Sequence, residues 1–482
     1  DLRNNNYQFF DNRYLATILG LIYSSIMPTL TLPNAKHLLA RTLLGYSKEQ
    51  LQQAMGYGSL EDLIDKALLA DIALPAPPNT WVTTLPAQAQ QDSGDAGRWY
   101  RELNYWWNNR MFAQGINLQE KMVLFWHNHF ACERDKVNYP QYMYQQNQLF
   151  RKFAFGNFKQ MVKEVSIDPT MLIYLDGNNS RGTGPNENYA RELFELFALG
   201  IGNYTENDIK QAAKVLSGWQ VKGLTSAFDP TRWYKDASVT IFGKTAQFNV
   251  NTLVDWVFEQ KACAEFICRK IYKNFIYYKA DEAFVAQMAA VLRSNNYEMK
   301  PLLRFMFLSD HFYQTNFQGS RIKDPQELMI GSLKALQVKA PDMVNVYELS
   351  KILQMQLFQP PNVAGWPGQR DWISSTTYSY RGGFTDSLLT GKRYNGVAVT
   401  GKLDVLAYAR SFSSSEQAGK FVNDVIDSLI LFPISDTKRQ FMLDTLLDGT
   451  IAANWSTYTP QADARIIRLL KAIMRLPEYQ LT

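Results

Sequence analysis

The sequence predicts a mainly α-helical fold: one large multi-helix domain with long irregular loops and at most a small β-hairpin. Three observations carry this. Apolar residues recur at helical spacing in most segments between breaks, and Ser, Thr or Asn capping signals open several of them. Only residues 221–250 mix Gly, Pro and β-branched residues in the manner of a hairpin. At 482 residues, 46% hydrophobic and 20% charged, the chain can bury a large core, which excludes a disordered chain.

Taken in order, Arg13 precedes the apolar run Leu15–Met27, which is short for a membrane span but suits the core of an export signal. Residues 1–33 are therefore expected to be a leader, with a buried N-terminal helix as the alternative, and 34–482 to be the helical domain. No later stretch reads as transmembrane. Asn34 is expected to cap a helix carrying Leu38, Leu39, Leu43 and Leu44, and Ser47-x-x-Gln50 forms a capping-box pattern. Residues 71–97, with Pro75, Pro77, Pro78 and Pro86, are expected to be a loop. Helices are expected within 99–130, from about Leu118 to Trp126, then over 150–165, and from Thr205-x-x-Asp208 to Leu216. Helical spacing returns over 251–278, 281–293, 300–308 and 326–337. Residues 358–383 read as a loop, and two or three helices finish the chain.

Composition narrows function. The net charge of +5 comes with no Lys/Arg block, so no nucleic-acid footprint is expected. Three cysteines, Cys132, Cys263 and Cys268, exclude a disulfide-stapled scaffold. Cys263 and Cys268 lie roughly 140° apart around a helix, which disfavours a bridge and predicts small buried hydrophobes. Aromatic content is 13%, with 11 Trp and 26 Tyr, enough to line a groove or to fill a large core.

Glu120–Phe130 (EKMVLFWHNHF), Pro185–Gly200 (PNENYARELFELFALG), Tyr204–Trp219 and Pro360–Thr377 (PPNVAGWPGQRDWISSTT) together resemble the DUF1800 family. His37–Ser47 and Leu476–Gln480 are similar to its two ends, so the resemblance spans nearly the whole chain. It implies a mostly helical, exported bacterial protein without an assigned activity. It also implies a partner class, since such proteins are often encoded beside exported DUF1501-type proteins. One departure stands out. Where family members tend to carry a His-Asp pair, this chain has Lys235 and Asp236.

The residues offer three candidate constellations. In the first, His127 and His129 are a possible metal pair, with Asp236, Glu187 or Glu192 as a third ligand to a divalent ion. Two histidines at i, i+2 sit about 200° apart on a helix, so sharing a metal requires the helix to end near Trp126. The second is Glu187, Arg191 and Glu195 at i, i+4 and i+8, a charged row on one helix. If that row is buried, removing Arg191 should cost about 3–5 kcal/mol. Against this structural pairing with Arg191, the alternative is that Glu187 with Glu195, or Glu192 with Asp176, is the acid/base pair of a hydrolase. The third is the 360–377 loop, where Trp366 and Trp372 offer stacking faces and Asn362, Arg370 and Asp371 offer polar contacts, with a structural plug whose tryptophans fill core space as the equal alternative. The expected site brings these segments together. His127, His129, Glu187, Arg191 and Glu192 are its candidate catalytic residues, and Asn186, Asn362, Trp366, Arg370 and Trp372 its candidate binding residues. The expected function is binding or hydrolysis of an envelope or extracellular polymer, in the periplasm or beyond. The competing class is a non-catalytic scaffold docking onto a DUF1501-type partner. Whether the chain is an enzyme is left open by its residues.

Overall fold

A computed structural model describes residues 28–393 and 402–482. It is 60% helical. The described β structure is two antiparallel hairpins, β1 (Trp219–Lys222) with β2 (Thr225–Phe228) and β3 (Val239–Ile241) with β4 (Lys244–Ala246). The fold is therefore mainly α, and the 221–250 region supplies two hairpins where one was expected. Residues 1–27 of the expected leader lie outside the described residues.

Several boundaries differ from the sequence expectation for local reasons. The first described helix is Leu32–Thr42, capped by the Thr31 side chain, with Asn34 already in its first turn. Pro33 suits that turn, because its missing N–H would have no intrahelical partner there. The 150–165 run divides into Pro140–Lys152 and Phe158–Val165, the second capped by Asn157. Likewise, 251–278 divides into Val250–Phe258 and Lys261–Phe275. Within 71–97 lie a short turn of helix at Thr80–Thr83, the Gln88–Asp92 helix and the start of Asp95–Ala113. The supposed loop 358–383 ends early: Ser374 and Thr377 form a capping box and open the Ser375–Thr390 helix. That helix runs through Gly382 and Gly383, so packing overrides a propensity cost of about 1 kcal/mol per glycine.

The helix Gln119–His129 is the axis of the core. It is buried on nearly every side, and Trp126 stacks on Phe158 with ring centroids 5.4 Å apart. Its two adjacent charges are buried as well, and each is tied to a different neighbour. The Glu120 carboxylate accepts from Arg151 at 2.8 and 3.0 Å and from the Trp107 indole at 2.8 Å. Lys121 donates to Glu327, which Arg321 also grips with two bonds of 2.9 Å. Lys121, Arg321 and Glu327 are only 3%, 4% and 2% exposed. Glu327 does a second job at the N-terminus of the Pro325–Ala335 helix, where it forms a capping box with Asp324. Burial pushes the Glu327 carboxyl up, but Arg321 and Lys121 outweigh it and hold the group down at about 2.

Removing one member of a buried ion cluster strands the others. Glu327→Gln should therefore lower unfolding stability by about 3–5 kcal/mol at neutral pH, measured by denaturant melts. The folded Glu327 is held below its ordinary 4.5, so its contribution is present above that value and is lost as pH falls toward about 2. The gap between wild type and variant should close over that interval.

Candidate functional site

The Gln119–His129 helix does not stop at Trp126. It runs through His129, which sends the two histidines to different sides. His127 is fully buried, and its Nε2 accepts the Phe358 amide at 3.1 Å while its ring packs 5.7 Å from Trp366. Burial pushes it down to about 3, so it is neutral. His129 faces the Lys261–Phe275 helix. Its Nε2 lies 3.0 Å from the Phe197 carbonyl, which can only accept, so Nε2 carries the hydrogen. Nδ1 is then the acceptor for Lys270 Nζ, 3.0 Å away. Burial and then Lys270 hold His129 well below its ordinary value, so it too is neutral.

Between these histidines, Asn128 fixes the loop. Its Oδ1 accepts the Trp366 amide at 2.7 Å and its Nδ2 donates to the Trp366 carbonyl at 3.4 Å. The approach is close enough to demand glycine at 365. There φ is +80°, and a Cβ would lie 2.3 Å from Asn128 Oδ1. Trp366 and Trp372 are therefore held at one side of a cavity of about 450 Å³. Only 5% and 7% exposed, they form its wall and offer no open stacking platform. The open aromatic is Tyr278, 44% exposed, with the Arg370 guanidinium 5.9 Å from its ring.

The cavity wall is cationic. Lys121, Lys270, Lys273 and Arg321 line it, against one acidic residue, Asp324. Lys121 and Arg321 are committed to Glu327. Lys270 and Lys273 form no ion pair among the described residues. Lys270 donates instead to His129 and, at 2.9 Å, to the Leu196 carbonyl. Burial, with Lys273 one turn away, pushes its ammonium down to about 8.

The acidic segment takes part in an unexpected way. It becomes helical only at Asn188, then widens into a π-helix over Leu193–Ala198, closed by the Leu199 amide on the Phe194 carbonyl. The charged row is thereby split. Arg191 pairs with Glu187 at 3.3 Å and bidentately with Glu206 at 2.7 and 2.8 Å, and Glu195 accepts from Tyr204. The bond to Glu206 raises Arg191, which lies at the surface rather than buried between carboxylates. None of Glu187, Arg191 and Glu192 lines the cavity. The end of the segment does reach it from behind: the carbonyls of Leu196 and Phe197, orphaned in the last turn, receive Lys270 and His129.

The other candidates have local partners. Asn186 accepts the Asn188 amide, Asn362 accepts the Ala364 amide, and Asp176 pairs with Lys136 at 2.8 Å. Asp236 pairs with Lys214 at 2.7 Å, and Lys235 donates to the Pro230 carbonyl. Among the described residues no group of three His, Cys, Asp or Glu side chains could hold a metal ion. The arrangement of His127, His129 and Asp236 is thus not a ligand set. All three cysteines are free and buried. Asn128, Lys270, Lys273, Arg321 and Tyr278 were not singled out from the sequence.

Two substitutions follow. Gly365→Ala should loosen the Trp366 loop, seen as a changed tryptophan emission and a lower melting temperature. Arg191→Ala should leave the melting temperature almost unchanged, because its pairs are solvent-screened.

No helix among the described residues is long and apolar enough to cross a membrane. Searches of curated proteins and of solved structures give no match. A family model described as a protein of unknown function matches residues 37–481. That match runs through the Asn128, Lys270 and Trp366 elements alike, and the chain belongs to the DUF1800 family.

Proposed function

We propose that the protein binds an anionic segment of an envelope or extracellular polymer in the cavity between Lys270, Arg321 and Trp366. The observation that supports this is the charge imbalance of the wall: four cations, two of them without a carboxylate partner, face a single acid. Unpaired cations in a recess attract anions more strongly than the same charges on an open surface, because solvent screens them less. Tyr278 and Arg370 at the rim offer a planar surface to a sugar ring. Binding is favoured over two-carboxylate hydrolysis, since among the described residues Asp324 is the only carboxyl on the wall and already caps a helix. An export signal in the first 27 residues would deliver the chain to such a polymer outside the inner membrane.

Calorimetric titration with polygalacturonate, with dextran as the neutral control, tests the reading. The acidic polymer should bind, and its affinity should fall as salt rises. Lys273→Glu, at an exposed position on the rim, should weaken binding about tenfold, or ~1.4 kcal/mol. Equal affinity for dextran, or indifference to Lys273→Glu, would count against it. A scaffold that docks onto a DUF1501-type partner would ignore both polymers.

A further inference from the structure

Lys270 is wired differently from the other cations of the cavity. Its Nζ has two protein acceptors, His129 Nδ1 at 3.0 Å and the Leu196 carbonyl at 2.9 Å, and neither is charged. The tautomer of the neutral His129 ring is set by Phe197, so Nδ1 stays an acceptor as long as the ring is neutral. Two N–H groups of Lys270 are therefore used in either protonation state. Only the third position changes, from an N–H in the ammonium to a lone pair in the free amine, and Lys270 lines the cavity.

The groups around it favour the free amine. His129, from the Gln119–His129 helix, is neutral, and Glu195 of the π-helix is engaged by Tyr204. Burial and the like charge of Lys273 on its own helix push the ammonium down, and they outweigh the Phe266 ring, whose face 5.1 Å from Nζ favours the cation. Across the cavity, Lys121 and Arg321 are cations held by Glu327, and Asp324 is a helix cap 3.6 Å from Lys121.

We propose that Lys270 is a nucleophilic amine that captures the aldehyde carbonyl of an anionic ligand in this cavity as a Schiff base. The anionic half of this statement rests on the function proposed above, and the amine half stands on the geometry and burial of Lys270. In the step, the nitrogen lone pair forms the C–N bond as the carbonyl π pair moves onto oxygen. Nitrogen then gives up its two hydrogens, oxygen leaves as water, and a C=N bond remains. Nothing is oxidised or reduced. His129 acts as a positioning residue, holding the amine by one hydrogen without adding a charge. An amine that loses its proton near pH 8, where an ordinary lysine does so near 10.5, is available for this reaction at neutral pH.

The test uses the purified protein with glyoxylate, an anionic aldehyde, and sodium cyanoborohydride, which reduces an imine to a stable secondary amine. Peptide mapping by mass spectrometry then locates the carboxymethyl group. Lys270 should be labelled at least about tenfold faster than Lys261, an exposed lysine on the same helix. Its rate should climb through pH 8 and level off above it. Glycolaldehyde, which is uncharged, should label it more slowly than glyoxylate. Equal rates for the two aldehydes at Lys270 would overturn the anionic half and the polymer reading with it. Labelling of Lys270 no faster than of Lys261 by either aldehyde would overturn the nucleophile, while leaving the polygalacturonate result to stand on its own.

Discussion

The carboxylate of Glu327, gripped by Lys121 and Arg321, is the constraint on which the cavity depends. Those cations come from the axial helix and from the segment leading into Asp324, and Glu327 itself belongs to the helix that Asp324 caps. Three elements are thus fixed relative to one another at one side of the cavity. Burying charges is unfavourable in itself, and a hydrophobic core of equal volume would often be at least as stable. What the cluster provides is a definite geometry, because a carboxylate that serves two cations and a helix cap has few other places to go.

Main-chain recognition completes the site. Asn128 reads both polar groups of Trp366, Phe358 donates to His127, and the last carbonyls of the π-helix accept from Lys270 and His129. Helix ends leave carbonyls without donors, and cations are favoured at that end of the dipole. The π-helix therefore supplies Lys270 with acceptors while withholding a full negative charge. These acceptors hold the amine firmly, while burial and the neighbouring Lys273 discourage it from staying charged.

Much of the fold was legible in the residues. Thr205 with Asp208 and Ser47 with Gln50 close the capping boxes that their spacing suggested. The segments 126–130 and 360–377 do meet, through Asn128 and Trp366. What the letters concealed depends on register and on distant partners. The widening at Leu193–Ala198 splits the row of Glu187, Arg191 and Glu195, and no side-chain pattern announces a π turn. Between His127 and His129, Asn128 holds the loop through bonds to a main chain 238 residues away, which no spacing in the sequence marks. Lys270 lies in KACAEFICRKIYKNF among other basic residues, and nothing in that string says which of them loses its proton early. That property comes from burial and from the like charge of Lys273 one turn away.

The most direct check on a preformed cationic cavity is an anomalous difference map from a crystal soaked in selenate. A selenium peak within the recess bounded by Lys270, Lys273 and Arg321, at modest concentration and lost in Lys273→Glu, is the predicted result. Peaks confined to the outer surface, with the recess holding only solvent, would contradict it.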